Sequence, residues 1–337
     1  MDVSVVVPTY NRRPVLERTI QCLLAQDTEA VSFEIVVVDD QSTDDTWAWL
    51  KELAAREDRL IALRNPRKGR GQARNAGTEA AKGRVICYVD DDVWVEPRFI
   101  RAHWLAHEEH GEDTVAIGGL APAPETKRTV PNLYDDARLM RAEQRLRDHQ
   151  GPIHPGLFRT GNVSVSRSLL TRVGGFDESF TGYSYEDSEL GHRLQRHGAR
   201  FVYVPEAAGV HFTEATIAGI LRKKREAASS AILFLQRCPE AADRVSHPFE
   251  IAGVPTTARH DSWAKALSIR LFSTRTVGTV LALPLYAAIG LRMERAALFW
   301  LSVLGHQHYC CAFRRAVQEL SSPPEQPTPE VKAETHG

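Results

Sequence analysis

Short apolar runs, mostly of β-branched residues, alternate with helical patterns along the first part of the chain, and this alternation limits the possible folds more than any other feature. The runs cover residues 3–7, 34–38, 60–63 and 85–89. Between them apolar residues recur at helical spacing, most clearly over 14–26. Continuous apolar strands separated by helices are typical of a sheet that is covered on both faces. The sequence therefore predicts an α/β fold with a mixed, mainly parallel sheet flanked by helices.

Polar residues directly follow three of these predicted strands. The first strand ends in Thr9-Tyr10-Asn11, the second in Asp39-Asp40 and the fourth in Asp90-Asp91-Asp92. In such sheets ligands bind beyond the carboxyl ends of the strands, so these side chains are expected to meet in one site. Asn11 is also placed to cap a helix that begins near Pro14.

The acidic triplet is the strongest local signal. Three adjacent carboxylates repel one another unless a cation or a basic group compensates. Because side chains alternate along an extended segment, Asp90 and Asp92 are predicted to point the same way. Their oxygen atoms suit Mg²⁺ or Mn²⁺, and His211, at the end of another apolar stretch, is a candidate nitrogen ligand. The alternative is a solvated acidic turn.

Two further segments suit a nucleotide. Asp40 is expected to accept a hydrogen bond from a base or ribose, with Asp44 or Ser42 as the helix cap, although a capping role for the aspartates is an equal alternative. The basic, Gly-rich segment 68–75 enters a helix whose N-terminus would attract a diphosphate. Since the sequence has no Walker loop and no G-x-G-x-x-G after the first strand, neither an ATPase nor a dehydrogenase is supported.

A third acidic segment, Glu186-Asp187-Ser188-Glu189, lies at a predicted helix start. It follows a Pro-rich stretch, 121–158, that is irregular apart from a predicted helix over 133–147. Stabilisation of a helix N-terminus would explain one or two of these acids. Alternatively, one carboxylate is a general base that takes a proton from an acceptor hydroxyl.

Taken in order, these segments resemble the family 2 glycosyltransferases, which are inverting, nucleotide-sugar-dependent enzymes with the GT-A fold. The resemblance covers about residues 2–212. The matching segments are Val7-Pro8-Thr9-Tyr10-Asn11-Arg12, Val37-Val38-Asp39-Asp40-Gln41-Ser42-Thr43-Asp44, Gly71-Gln72-Ala73-Arg74-Asn75-Ala76-Gly77, Asp90-Asp91-Asp92, Gly161-Asn162, Gly174-Gly175-Phe176-Asp177-Glu178, Tyr185-Glu186-Asp187 and His211.

The resemblance implies a Rossmann-like GT-A domain over 1–212, with a nucleotide-sugar half over about 1–120 and an acceptor half over about 121–212. It also implies a role for each matching residue. Donor contacts are expected from Pro8, Tyr10, Asn11, Asp40, Arg74 and Asp91, metal and diphosphate binding from Asp90, Asp92 and His211, base catalysis from Asp187, and orientation of the acceptor from Glu186.

The implied reaction moves a sugar from a nucleoside-diphosphate sugar to a hydroxyl of a polysaccharide, glycolipid or other glycoconjugate. A UDP-sugar is the expected donor, with dTDP- and GDP-sugars as alternatives, and Mn²⁺ or Mg²⁺ is the expected cofactor. Two other functions stay open: a sugar-phosphate nucleotidyltransferase, and a non-catalytic nucleotide-sugar-binding or membrane scaffold protein.

The remainder of the chain differs in charge. The net charge of −1 argues against a nucleic-acid binder, but residues 1–212 are acidic whereas 213–320 are basic. The uncharged run 276–291 and the apolar run 296–305 are each shorter than the roughly 20 residues that span a bilayer. We expect a helical region over 213–320 that either lies on an anionic membrane or packs on the catalytic domain.

The chain end and the cysteines give two weaker expectations. Residues 321–337 are rich in Pro and Glu and are predicted to be disordered. The five cysteines lack C-x-x-C spacing, and the N-terminus lacks the basic region of a signal peptide. We therefore expect a cytoplasmic location, with the inner face of the plasma membrane as a peripheral site.

Overall fold

The computed structural model describes residues 1–244 and 275–321. The strands are β1 (Val3–Thr9), β2 (Phe33–Asp39), β3 (Leu60–Arg64), β4 (Val85–Val89), β5 (Val93–Val95), β6 (Thr114–Pro122), β7 (Asn162–Ser166) and β8 (Arg200–His211). The helices are α1 (Arg13–Leu24), α2 (Thr46–Ala54), α3 (Arg70–Ala80), α4 (Phe99–His110), α5 (Val130–Arg147), α6 (Arg167–Val173), α7 (Glu186–Arg196), α8 (Ile217–Arg237), α9 (Arg275–Gly290) and α10 (Glu294–Ser321). The tail predicted to be disordered lies outside the described residues, apart from Ser321.

The strands form one sheet with the order β3-β2-β1-β4-β7-β6-β8-β5. Strands β1 to β4 are parallel to one another, and β6 is parallel to β8. Strand β7 is antiparallel to both β4 and β6, so β4 and β6 run in the same direction. The predicted mixed, mainly parallel sheet is confirmed. One edge of the sheet therefore collects the carboxyl ends of six strands and the start of β7.

Alternate residues of the strands fill two hydrophobic cores. Val5 and Val7 of β1 pack on the face covered by α1, α2 and α4. Val6 and Val38 pack on the opposite face, which is covered by α3, α5, α6 and α7. Because both faces are covered, the strands read as continuous apolar runs in the sequence.

The predicted cap of α1 is wrong, whereas Asp44, a predicted cap of α2, bonds to the first residue of that helix. Helix α1 has Arg12 as its N-cap, with no side-chain cap hydrogen bond. The side chain of Asn11 instead accepts a hydrogen bond from the Thr43 N–H at 2.7 Å, and the Asn11 N–H donates to Oγ of Ser42 at 2.9 Å. The N-cap of α2 is Asp45. Oδ1 of Asp44 accepts a hydrogen bond from the Thr46 N–H at 3.0 Å, at the start of α2. Asn11 and Ser42 instead link two neighbouring loops at the sheet edge.

Strand β5, helix α4 and strand β6 were not predicted. Strand β5 has only three residues and β6 contains two adjacent glycines, so neither gives a clear strand pattern. Strand β8 covers the apolar stretch that ends at His211. The helix predicted over 133–147 is confirmed as α5, which begins slightly earlier.

Gly77 lies where α3 comes closest to the sheet. A Cβ atom at this position would be 2.4 Å from Cγ1 of Val6 and 3.0 Å from Cγ2 of Val38. We expect Gly77→Ala to lower the free energy of unfolding by about 1–3 kcal/mol, because helix and strand must move apart. Urea denaturation measures the change. Gly290→Ala is the matched control, since a Cβ there meets nothing within 4 Å. Equal unfolding midpoints for the two variants would contradict the close packing.

Among the described residues, helices α8, α9 and α10 follow β8 and form a helical C-terminal part, as predicted. Leu285 of α9 and Leu301 of α10 share a buried cluster with Ile220 of α8 and Tyr134 of α5. Within the described ranges, no helix is both long and apolar enough to cross a membrane. The boundary at residue 212 falls between the end of β8 and the start of α8, and the division into domains stays a prediction.

Candidate active site

The polar strand ends meet at one edge of the sheet. Residues Thr9, Asp39 and Asp90 lie at or just after the ends of β1, β2 and β4, and His211 is the last residue of β8. An open cavity of about 410 Å³ lies at this edge. Its lining comprises Asp90, Leu120, Arg138, Leu139, Arg141, Ala142, Arg145, Arg159, Gly161, Tyr183, Asp187 and His211.

The three adjacent aspartates have different partners because they form a turn. The Val93 N–H donates to the Asp90 carbonyl oxygen at 3.1 Å, so the segment between β4 and β5 is not extended. Arg12 donates to Oδ2 of Asp92 at 2.7 Å and to Oδ1 of Asp91 at 3.1 Å. The alternation expected for Asp90 and Asp92 therefore does not apply, and Arg12 compensates two of the three charges.

Asp91 differs from its predicted role as a donor contact. Its side chain is 9% exposed, and its Oδ2 accepts a hydrogen bond from the Thr9 hydroxyl at 2.8 Å. Burial raises the pKa of Asp91 to about 7, although the charge of Arg12 acts in the opposite direction. Because Thr9 and Arg12 enclose this carboxyl group, it stabilises the turn from the protein interior.

Asp92 and His211 form the pair best suited to a metal ion. Nε2 of His211 lies 3.5 Å from Oδ1 of Asp92. Burial acts to raise the pKa of Asp92, but His211 and Arg12 together hold it below the ordinary value, so the carboxylate is ionised. In the part of the chain that the structure describes, no group of three or more His, Cys, Asp and Glu side chains could hold an ion. A pair nevertheless fits Mg²⁺ or Mn²⁺ that takes its other ligands from phosphate and water.

Arg74 holds three carboxyl groups together. Its Nη2 donates to Oδ1 of Asp90 at 2.9 Å, while its Nη1 lies 3.6 Å from Glu186 and 4.0 Å from Asp187. The side chain is only 5% exposed. Helix α3 thus supplies one buried cation to acids that come from the end of β4 and the start of α7.

Glu186 and Asp187 occupy different positions at the start of α7. Asp187 lines the cavity, and the Thr160 hydroxyl donates to its Oδ1 at 3.1 Å. Glu186 lies beneath it, with its Oε2 buried and unpartnered within the described residues. Burial raises the pKa of Asp187, with Arg74 opposing and Asp90 reinforcing the shift. Burial and the Asp187 charge raise the pKa of Glu186 to about 7.

The predicted nucleoside residues lie at the ends of β1 and β2. Oδ1 of Asp40 accepts hydrogen bonds from Nδ2 of Asn65 at 2.6 Å and from the Gly69 N–H at 2.9 Å. Asp40 is therefore less free than predicted, since it anchors the loop that leads into α3. Tyr10 is exposed, with Nζ of Lys68 at 4.0 Å from its ring centroid, whereas Pro8 is half-buried.

Several residues of this site were not assigned by sequence analysis. They are Arg12, Asn65, Thr160 and the cavity arginines Arg138, Arg141, Arg145 and Arg159. The spacing of Arg138, Arg141 and Arg145 is that of one helix face, which was a usable signal. Arg12, Asn65 and Thr160 contact their partners over long sequence separations, which no local pattern reveals.

Comparison with known proteins matches the chain to two family models, and both describe glycosyl-transferring proteins. Residues 4–170 match the family model described as glycosyl transferase family 2, and residues 147–215 match one described as N-terminal domain of galactosyltransferase.

Two similar curated proteins are glycosyl-transferring enzymes. One is validoxylamine A glucosyltransferase of Streptomyces hygroscopicus subsp. jinggangensis, 33% identical over 232 residues, which are 61% of this chain and 54% of that protein. Another is chondroitin synthase of Escherichia coli, 28% identical over 62% of this chain and 34% of that protein. The chain thus spans about half the length, or less, of these relatives.

Solved structures share the fold. A mannosyltransferase from Pyrobaculum calidifontis, in complex with GDP-Man and Mn²⁺, has a TM-score of 0.57 at 20% identity and covers 90% of this chain and 85% of its own. S. aureus TarS 1–349, in complex with UDP-GlcNAc, has a TM-score of 0.54 at 17% identity and covers 90% of both chains. The predicted GT-A fold, with its helical C-terminal part, is confirmed.

Proposed function

The chain belongs to glycosyltransferase family 2, and on that basis we propose that it transfers a sugar from a nucleoside-diphosphate sugar to an acceptor hydroxyl, with inversion and in a single displacement. One observation carries the proposal: Asp187 lines the same cavity as Asp90 and His211, so a candidate base faces the candidate donor site across open space. The catalytic domain would comprise residues 1–212.

The donor would lie along the ends of β1, β2 and β4. Its nucleoside would contact Pro8, Tyr10, Asn11 and Asp40, and its diphosphate would lie near the loop that Asp40 anchors. A UDP-sugar is the proposed donor, and dTDP- and GDP-sugars are the alternatives. Support comes from the two solved relatives, which hold GDP-Man and UDP-GlcNAc.

Mn²⁺ or Mg²⁺ would be held by Asp92 and His211, whereas Asp90, the third predicted ligand, is paired with Arg74 and does not join them in a three-residue site within the described residues. When bound, such an ion neutralises charge on a departing diphosphate. The ionised state of Asp92 and its 3.5 Å approach to His211 support this assignment, as does the Mn²⁺ in the similar mannosyltransferase. Arg12, bonded to Asp92, would keep that carboxylate in place when the ion is absent.

The chain's own groups carry the proton transfer. The oxygen of the acceptor hydroxyl attacks the anomeric carbon of the donor sugar, and the bond between that carbon and the nucleoside diphosphate breaks. Oδ1 or Oδ2 of Asp187 takes the proton of the acceptor hydroxyl in the same step. Thr160 orients the Asp187 carboxylate through its hydrogen bond. Glu186 is the weaker candidate for the base because it is 6% exposed, against 25% for the Asp187 side chain. Its proposed role is to orient the acceptor.

A thermal-shift screen of nucleoside diphosphates with Mn²⁺ and Mg²⁺ tests this proposal. We expect at least one nucleotide to raise the melting temperature, and to do so more with metal than without. In Asp92→Asn the additional shift from metal should be lost, whereas the shift from the nucleotide alone should remain. Asp58→Asn, an exposed acid ahead of β3, is the matched control. No shift with any nucleotide would contradict the proposal.

We also propose that the C-terminal helices contact an anionic membrane surface, which would place the protein at the inner face of the plasma membrane. Helices α9 and α10 and the turn between them expose large apolar side chains, namely Val280, Leu283, Tyr286, Leu291, Met293 and Phe299. Exposed Arg292 and Arg295 lie beside them. Apolar side chains flanked by arginine suit an interface with acidic lipids.

Sedimentation with vesicles tests this contact. The wild-type chain should sediment with vesicles that contain phosphatidylglycerol, and Leu283→Asp/Leu291→Asp should lose most of this binding because charged side chains do not enter the lipid interface. Leu105→Asp changes an exposed leucine on α4 and should bind as the wild type does. Equal sedimentation of both variants would contradict the proposed surface.

A further inference from the structure

Four arginines face the cavity beside the candidate base. Arg138, Arg141 and Arg145 lie three and four positions apart on α5 and therefore on one helix face. Arg159, from the segment before β7, lines the same cavity, as does Asp187. The cavity thus carries a dense positive charge, and it lies near β4, β6 and β8 rather than near β1 and β2.

These arginines have little counter-charge. Arg138 lies 3.5 Å from Asp135. Within residues 1–244 and 275–321, no ion pair or side-chain hydrogen bond joins Arg141, Arg145 or Arg159 to another residue, and the Nε atom of Arg159 is buried without a partner. Arg141 and Arg145 are exposed to the cavity solvent, whereas Arg159 is half-buried. A buried guanidinium N–H without an acceptor is costly unless a ligand supplies one.

The nearest acid on the same helix is used elsewhere. Glu143 is 1% exposed and accepts hydrogen bonds from the Leu120 N–H, from Arg147 and from the Tyr203 hydroxyl. It therefore points toward β6 and β8, where its charge is shared with Arg147. Burial lowers the pKa of Arg159 even though the charges of Glu143 and Asp187 act against the shift. The cavity lining thus has four arginines and His211 against two acids, Asp90 and Asp187, and both acids also lie within 4.0 Å of Arg74.

We propose that the acceptor carries a phosphate group and that Arg141, Arg145 and Arg159 bind this group while the acceptor hydroxyl reaches Asp187. This inference rests on the proposed function, since it names the class of acceptor. A planar guanidinium group can bind two phosphate oxygens at once. Several guanidinium groups together match the multiple negative charge of a phosphate group. The phosphate belongs either to a soluble sugar phosphate or to a sugar linked through phosphate to a lipid.

Calorimetry on the full chain tests the site. The protein is first saturated with Mn²⁺ and the nucleoside diphosphate that stabilises it most, so that the donor position is filled. Glucose 1-phosphate, as the anionic probe, should then bind at least about tenfold more tightly than methyl glucoside. Arg141→Gln/Arg145→Gln should weaken binding of glucose 1-phosphate by about tenfold or more and leave nucleotide binding unchanged.

The matched control carries the same charge change at the opposite edge of the sheet. Arg56, ahead of β3, and Arg200, the first residue of β8, are exposed, and Arg56→Gln/Arg200→Gln should bind glucose 1-phosphate as the wild type does. Repeating the titration with the farnesyl phosphodiester of glucose in vesicles separates the two sources. Tighter binding of that compound indicates a lipid-linked acceptor, and equal binding indicates a soluble one.

Three results would overturn the anionic acceptor. The first is equal affinity for glucose 1-phosphate and methyl glucoside, and the second is equal affinity of the two double variants for glucose 1-phosphate. The third is complete exclusion of glucose 1-phosphate by the bound nucleotide, which would assign the arginines to the donor diphosphate. Failure of the wild type to bind any nucleoside diphosphate is a different outcome, because it contradicts the proposed function itself.

Discussion

Asp187→Asn is expected to lower turnover of the nucleotide sugar by about 10²–10⁴-fold, the usual contribution of a general base. The amide cannot take the hydroxyl proton, yet it keeps the shape of the side chain and can still face Thr160. Donor binding should therefore change little. Release of nucleoside diphosphate measures turnover, and the thermal shift caused by the donor measures binding.

Glu186→Gln is the matched comparison for this variant, because it makes the same chemical change at the adjacent, buried position. We expect a smaller loss of turnover than in Asp187→Asn. A larger loss in Glu186→Gln, with Asp187→Asn still active, would exchange the two roles. Because burial raises the pKa of Asp187, activity should also fall on acidification at a pH above the ordinary range of an aspartate, since the base must be ionised.

Arg74→Met is expected to cause the largest loss of stability, about 3–5 kcal/mol, because it leaves buried carboxylates without their cation. The buried Arg74 side chain lies within 4.0 Å of Asp90, Glu186 and Asp187. Burial already raises the pKa of Glu186 and Asp187, and loss of Arg74 raises both pKa values further. Acidification then protonates these carboxyl groups and removes their repulsion.

The stability difference between the wild type and Arg74→Met should therefore be larger near about pH 8 than near about pH 5. Urea denaturation at both values measures it. Arg84→Met, at an arginine side chain that is 66% exposed, is the control and should change stability little at either pH. A loss of equal size at both pH values would show that Arg74 acts through packing alone and would contradict its electrostatic role.

Local sequence patterns predicted the sheet and the edge at which the site lies. Buried β-branched runs such as residues 34–38 specify covered strands, and the acids that follow them could meet only at the carboxyl edge. The patterns failed where contacts are distant in sequence. Arg12 bonds to Asp91 and Asp92, some 80 positions away, and Thr160, from the segment before β7, bonds to Asp187 at the start of α7.

The acidic triplet shows the same limit at short range. Alternation of side chains holds in an extended segment, but the hydrogen bond between Asp90 and Val93 makes a turn. Asp90 then pairs with Arg74, and Asp92 with Arg12 and His211. The three aspartates indicated a metal and diphosphate site from their residue type alone. The directions of their side chains depended on basic partners, Arg74 of α3 and Arg12 after β1.

Real-time proton NMR of donor consumption tests the central claim, direct displacement promoted by Asp187, most directly. The spectra follow an α-linked nucleotide sugar, with Mn²⁺ replaced by Mg²⁺ because Mn²⁺ is paramagnetic. The wild type should release nucleoside diphosphate and a sugar product whose first-formed anomer is β, and Asp187→Asn should release almost none. A first-formed α product, or undiminished turnover in Asp187→Asn, would contradict the account.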